Sequence, residues 1–445
     1  MTDEQFSYFT SLFSELGLDK NSEIDSIIVT IKQLFVESRN DRELLSRNID
    51  TYLIPAIEEK NTNAEVSTPY FLRKEMLDKI PDEEFVKLGR ILESCCGKAG
   101  FLIDIVNRFL LLGFDMRTII EDKIYFADIN PFNVFIACLL LNPEGKYKVN
   151  AFVGDTLQMT FDFKFDAVIG NPPYQSGKKG SGNILWQEFV RKSLNEWIAD
   201  EGYLCFVHPA GWRKPEFETS KSKTLGMFEL MTRTNTMIKL VIRGLVDGKK
   251  VFKCGTRYDY YLIKKTPNID MLTEVSDEHY NKFSLDLKEW KFLPNHNFDS
   301  VKKLLAGKDE ECVDVLYNTI YDSRKLYVSR EKSDTYKYPL IHSTPKDGVR
   351  YCYSSVNDKG HFGISKVIFG DSGVNHVVTD TDGLYGMTEH SIAIVDDVDV
   401  FDDIKKALLS NAFRDIVHAC SWSNYQINGR LLTHFKKDFY KELVI

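Results

Sequence analysis

Phe165-Asp166-Ala167-Val168-Ile169-Gly170-Asn171-Pro172-Pro173-Tyr174 decides the reading of this 445-residue chain. The apolar run reads as a buried strand, and the tetrapeptide after it as a loop at that strand's carboxyl end, where open α/β sheets bind ligands. Two consecutive prolines fix φ and carry no backbone N–H, so their carbonyls stay free to accept hydrogen bonds. The Asn171 amide adds an acceptor and Tyr174 a planar face. Such a cluster suits a planar amino group.

Working outward, Arg90-Ile91-Leu92-Glu93-Ser94-Cys95-Cys96-Gly97-Lys98-Ala99-Gly100-Phe101-Leu102 reads as strand, glycine turn and helix start, the first βα unit of a Rossmann-like sheet. Lys123 to Asp128 is a second strand, ending in an acid that can accept both hydroxyls of a ribose and leading into an apolar helix from Phe132 to Leu141. A helix N-cap is the plainer role open to Asp128. Val149 to Gly154 is a third strand, followed by Asp155, for which an exposed turn is the simpler alternative. Thr68-Pro69 opens a helix, with Thr68 a possible cap and Pro69 well placed in the first turn. After the tetrapeptide, Glu201 to Pro209 reads as a further buried strand, and Val251-Phe252 through Lys265 as the last strand region.

The ordered set of motifs resembles the S-adenosylmethionine-dependent amino-methyltransferases that carry Asn-Pro-Pro-Tyr. It is closest in kind to the DNA adenine N6-methyltransferases of gamma arrangement found in type II restriction-modification systems. The resemblance implies that Asn171 and Pro172 hold the target amine, within the catalytic set Asn171, Pro172, Pro173 and Tyr174. Tyr174 stacks on a base that has left its duplex, and Phe252 is the second aromatic candidate, with Tyr258 as its competitor. It implies Thr68, Glu93 and Gly97 around the methionine part of the cofactor, Asp128 on its ribose, Ile129 against its adenine and Asp155 on the adenine amine. Ser94 stands where the family usually has Pro, and Ala99 where a second Gly is common. Gly363 to Gly370 and Met387 to Ile394 resemble recognition domains of the same enzymes.

With 43% apolar residues the chain can bury a large core. No run is long and apolar enough to span a membrane, and the polar amino terminus has no signal-peptide pattern. Eight cysteines without Cys-x-x-Cys spacing, and nine scattered histidines, imply a reducing, cytoplasmic setting and no metal site. The net charge of −8 counts against a nucleic-acid partner, but residues 171–265 hold 17 Lys and Arg against 9 Asp and Glu. In that region Lys178-Lys179, within a Gly/Ser-rich segment, are placed to meet phosphates or simply to be solvated.

The expected architecture is α/β: a Rossmann-like methyltransferase sheet with helices on both faces, plus a C-terminal α+β region. Residues 1–65 form a helical extension, with Ile24, Ile27, Ile28, Ile31, Leu34 and Phe35 at helical spacing. Residues 66–268 form the catalytic domain and residues 269–445 the target-recognition domain. Asp50, Glu58 and Lys60 only loosely imitate a nuclease cluster. The expected activity is methyl transfer to the N6 amine of a flipped adenine in double-stranded DNA, with a cognate restriction endonuclease as possible partner. RNA adenine or protein-glutamine methylation, and a catalytically silent DNA-binding subunit, are the alternatives. Recognition sequence and oligomeric state are not legible at this stage.

Overall fold

The computed structural model describes residues 8, 11–13, 15–18, 22–39, 41–55, 66–175, 184–216, 224–422 and 427–444. The chain divides into two units, Met1–Trp212 with Lys221–Glu289, and Arg213–Ser220 with Trp290–Ile445.

Segments of three to twelve residues, apolar in the centre of the sheet and more polar at its edges, make the strands of the first unit: β1 Ile91–Glu93, β2 Ile124–Asp128, β3 Asn150–Val153, β4 Phe165–Gly170, β5 Ile198–Pro209, β6 Thr236–Arg243, β7 Tyr258–Lys264, β8 Thr273–Ser276 and β9 Lys282–Leu285. They form one sheet in the order β3-β2-β1-β4-β5-β7-β6-β8-β9. The first five pair in parallel, with Ile91 opposite Ile124 and Leu92 opposite Val168. β7 runs antiparallel between β5 and β6. The order reverses at β1 and β4, which opens a crevice at their carboxyl ends. The Asn171–Tyr174 segment leaves β4 at that point.

Both faces of the central strands are buried, as near-continuous apolar runs in parallel sheets require. Helices Gly100–Leu111 and Pro131–Leu141 pack on one face, the latter with nine buried residues, Asn133 through Leu141. The helix Ser22–Ser38 joins the same core through Ile24, Ile31 and Leu34, with Ile27, Ile28 and Phe35 partly buried against it. Helices Ser22–Ser38 and Arg42–Tyr52 therefore belong to the unit that carries the sheet. The last two strands lie beyond residue 268, and the unit closes at Glu289. One local expectation is corrected. Val251 and Phe252 do not open a strand but end the helix Leu245–Phe252, whose chain then turns through Lys253 at φ +58° before β7 begins at Tyr258.

The second unit holds two four-stranded sheets. Its strands are β10 Asp314–Leu316, β11 Val328–Ser329, β12 Tyr338–Ser343, β13 Arg350–Ser354, β14 Lys366–Gly370, β15 Val377–Asp380, β16 Gly386–Met387 and β17 Ser391–Val395. The sheet orders are β10-β17-β14-β15 and β11-β13-β12-β16. The two segments singled out in the sequence, 363–370 and 387–394, contribute β14 and β17, which are antiparallel neighbours. Among the described residues no helix is long and apolar enough to cross a membrane, and all eight cysteines are free thiols.

Candidate functional site

At the carboxyl end of β1 the chain must turn sharply into the helix Gly100–Leu111. Gly97 does so at φ +48° and Ala99 at φ +64°, both in the left-handed region. For Ala99 this conformation costs about 1–2 kcal/mol relative to glycine, so the turn keeps a glycine-like shape where the sequence departs from the family. Gly100 is fixed by contact: a Cβ there would lie 2.8 Å from the Arg73 guanidinium. The Gly97 N–H donates to Asp128 Oδ2 at 2.9 Å, which ties the turn to the end of β2.

Asp128 is buried, and its Oδ1 accepts from the Asn130 N–H at 2.9 Å and from Asn133 Nδ2 at 3.3 Å. Burial raises its pKa, and these donors pull it back down. It is not the helix cap: that position belongs to Asn130, whose side chain accepts from the Phe132 N–H. A carboxylate has about four acceptor sites, so Asp128, with three donors, retains about one for an incoming hydroxyl. Asp155 does take a capping role, accepting from the Leu157 N–H at 3.0 Å, while remaining exposed at the cavity wall. Thr68 is buried and does not cap its helix, whose N-cap position falls to Pro69. Asp50 serves that end instead, accepting from the Tyr70 N–H.

Glu93 and Asn171 differ from these groups. Glu93 is buried at the end of β1, and its Oε2 has no hydrogen-bond partner among the described residues. Burial drives its pKa well above the ordinary 4.5. Asn171 Nδ2 donates to the Val66 carbonyl at 3.1 Å, which fixes the amide, and its buried Oδ1 accepts nothing from the described residues. The Tyr174 hydroxyl is buried next to the Asn171 side chain, with no well-formed hydrogen bond among the described residues; burial raises its pKa, and Asn171 offsets part of the rise. Its ring meets Phe252 edge-on, centroids 6.1 Å apart, and Phe252 meets Tyr258 in the same way at 5.0 Å.

A cavity of about 460 Å³, within the range of small-molecule sites, gathers these residues. Thr68, Glu93, Gly97, Asp128, Ile129 and Asp155 line it on one side of the reversal, and Asn171 through Tyr174 on the other. Ile129 is 59% exposed, an apolar side chain left open on the cavity wall. Phe252 does not line the cavity; its place is behind Tyr174. Lys178 and Lys179 lie outside the described residues, as do Glu58 and Lys60. Cys95 and Cys96 stand beside the turn with thiol pKa values driven far up by burial, so neither is a ready nucleophile.

Sequence reasoning missed one wall and its anchor. Ile49, Asp50 and Leu53 of the amino-terminal segment line the cavity. Arg73, 2% exposed, holds that segment by donating all five of its N–H groups. Nε donates to Asp104 at 2.7 Å, one terminal nitrogen to Asp50 at 2.7 Å and to the Thr68 carbonyl, and the other to the carbonyl and hydroxyl of Ser46. Ser46 in turn donates to Asp104. The available signal was a lone arginine among apolar positions of a helix, which reads equally as a solvated charge.

With this geometry in view, the chain can be set beside known proteins. Residues 142–252 match the Eco57I restriction-modification methylase family. The methylase match takes in Asn171–Tyr174 and Phe252, whereas Thr68, Glu93, Gly97 and Asp128 lie ahead of it. The modification methylase CviBIII of Paramecium bursaria Chlorella virus NC1A is 22% identical over 275 residues, 57% of this chain and 65% of that protein. The chain thus spans a little under two thirds of that relative. The type II methyltransferase M.CvrRI of Paramecium bursaria Chlorella virus XZ-6E is 23% identical over 410 residues, 87% of this chain and 95% of that protein. Among solved structures, the type IIL restriction-modification enzyme MmeI in complex with DNA superposes with a TM-score of 0.48 at 11% identity, covering 94% of this chain and 68% of that one.

Proposed function

We propose that the chain is an S-adenosylmethionine-dependent DNA methyltransferase acting on the N6 amine of an adenine swung out of its duplex. The observation that carries the reading is the Asn171 amide: its nitrogen is held by Val66 while its buried Oδ1 has no donor among the described residues. An exocyclic adenine amine brings two N–H donors. Asn171 Oδ1 and the Pro172 carbonyl, which precedes a residue without N–H, accept them and turn the nitrogen lone pair toward the methyl donor. This is catalysis by positioning and electrostatics, with no covalent intermediate on the protein. Tyr174, backed by Phe252, offers its ring to the base. Its hydroxyl, raised by burial, stays protonated.

The cofactor end fits the same reading. Glu93 Oε2, buried and unpartnered, suits the cationic amino acid part of S-adenosylmethionine, and Gly97 allows close backbone approach. Asp128 has about one acceptor site left for a ribose hydroxyl, while Ile129 and Asp155 stand ready for an adenine ring and its amine. The cofactor, when bound, supplies a methyl group activated by positively charged sulfur. We assign sequence recognition to the second unit, because a pocket for one base cannot read its neighbours. Duplex DNA is the partner this implies and, in a restriction-modification setting, a nuclease of matching specificity.

Incubating the protein with labelled S-adenosylmethionine and unmethylated genomic DNA, RNA or bulk protein, followed by nucleoside and amino-acid mass analysis, tests the reading. N6-methyladenine in DNA alone is expected. Label confined to RNA or to glutamine would replace the substrate, and label on cytosine N4 would replace the target atom.

A further inference from the structure

Segment 324–359, which supplies β11, β12 and β13 of the second unit, reverses the charge of the chain. It holds eight Lys and Arg, all exposed, against four Asp and Glu, a net +4 in a chain of −8. At its start stands Leu326, 95% exposed. An isolated exposed leucine is ordinary; this one is set on a turn braced from both sides. The buried Asp322 carboxylate accepts from the Arg324 N–H at 2.9 Å and from Arg324 Nε at 2.7 Å. The Lys325 N–H donates to the Asp322 carbonyl and the Val328 N–H to the Lys325 carbonyl, both at 2.9 Å. The Ser323 N–H donates to Glu389 at 2.8 Å, and the Tyr336 hydroxyl donates to the Leu326 carbonyl itself at 2.9 Å. The backbone of the turn is therefore fixed, while the leucine side chain is held out in water.

Cations flank it. Lys325 and Arg330 are exposed and form no ion pair among the described residues. Lys359 lies over the Tyr327 ring at 5.3 Å. A rigid apolar tip between exposed cations complements a phosphate-lined groove in which an apolar side chain can wedge between base steps.

We propose that the turn 322–328 docks in a groove of duplex DNA, with Lys325 and Arg330 on the phosphates and Leu326 inserted as an apolar wedge against the base pairs. This rests on the reading of the chain as a DNA methyltransferase and names part of the surface by which it holds its substrate. Because the turn is already braced, docking orders little further backbone.

The test is fluorescence anisotropy of an end-labelled duplex fragment of plasmid DNA across a salt series, using the full chain. Wild type is compared with Leu326→Ala and with Lys325→Ala combined with Arg330→Ala, alongside methyl transfer to genomic DNA. The double variant should flatten the salt dependence by about 0.9 in log–log slope for each lost phosphate contact. Leu326→Ala should weaken binding roughly fivefold, the effect of a modest interface anchor, with the slope unchanged. If wild type binds and methylates DNA while both variants match it in affinity and slope, the inference is overturned and the methyltransferase reading stands. If wild type neither binds duplex nor methylates it, both fall together.

Discussion

The polar groups of the cavity fall into two sets. Asp128 and Arg73 have protein partners: Asp128 takes donors from Gly97, Asn130 and Asn133, and Arg73 places every N–H it has. Asn171 Oδ1, Glu93 Oε2 and the Tyr174 hydroxyl are buried and make no well-formed hydrogen bond among the described residues. Buried polar atoms in native structures are overwhelmingly paired, and a buried orphan costs on the order of 1–3 kcal/mol. The first set spends its hydrogen bonds on shape; the second keeps acceptors open for something that arrives. The contrast predicts that substitutions in the two sets will separate stability from activity.

The largest effect belongs to the partnered set. Arg73→Met leaves Asp104 and Asp50 without their cation at a site buried among three helices, and should cost about 3–5 kcal/mol. A denaturant melt measures it. Arg73→Lys, with three donors in place of five, should recover only part of the loss. Full stability in Arg73→Met would mean that the amino-terminal wall is not held by this network.

Asn171→Ala probes the orphan set and should do the reverse. The turnover number should fall roughly 10²–10³-fold, the usual cost of removing one preorganised group from a reacting centre. Cofactor affinity, read by calorimetry, and melting temperature should scarcely move. A variant that instead lost cofactor binding would erase the division between cofactor-holding and amine-holding residues.

The sequence exposed the strand-end polar groups of the cavity, Asp128 among them, far better than it exposed Arg73, for a physical reason. Asn171, Glu93, Asp128 and Asp155 each sit at or just past the end of their own strand, so a local apolar run followed by a polar residue announces them. Arg73 is defined by partners 23 and 31 residues away, and its segment alone gives no cue to them. Ile49 and Leu53 satisfy the pattern of any helix packed on a core, and only the fold turns them into a cavity wall. Likewise, Val251 and Phe252 are apolar and precede a true strand, yet Lys253 in the left-handed region separates them from it. Phe252 was legible as an aromatic near the site, but its position behind Tyr174 depends on how the helix Leu245–Phe252 packs.

Glu93 sharpens the contrast through pH. Because burial raises its pKa, the folded chain keeps this proton over a range above 4.5 in which the unfolded chain has released it. The folded state then binds more protons than the unfolded one, so stability falls as pH rises through that range. Glu93→Gln should remove this slope and raise the neutral-pH stability of the cofactor-free protein. It should also weaken cofactor binding by roughly ten- to a hundredfold, the worth of a hydrogen bond to a charged group. In wild type, a cationic ligand favours the carboxylate, so binding should release a proton and tighten with rising pH until Glu93 is ionised in the free protein. Calorimetry in buffers of different ionisation enthalpy would show that proton.

The smallest effect isolates backbone from side chain. Ala99 is held at φ +64° in the turn that Gly97 and Gly100 also shape, and its methyl group contributes only packing. Ala99→Gly relieves a left-handed conformation that costs an L-residue about 1–2 kcal/mol, while giving back up to about 1 kcal/mol through the freer unfolded chain. The net should be a gain of about 1 kcal/mol or less, with cofactor affinity unchanged because Glu93, Gly97 and Asp128 keep their places. If affinity rose along with stability, the turn would be strained against its ligand as well as against its own backbone.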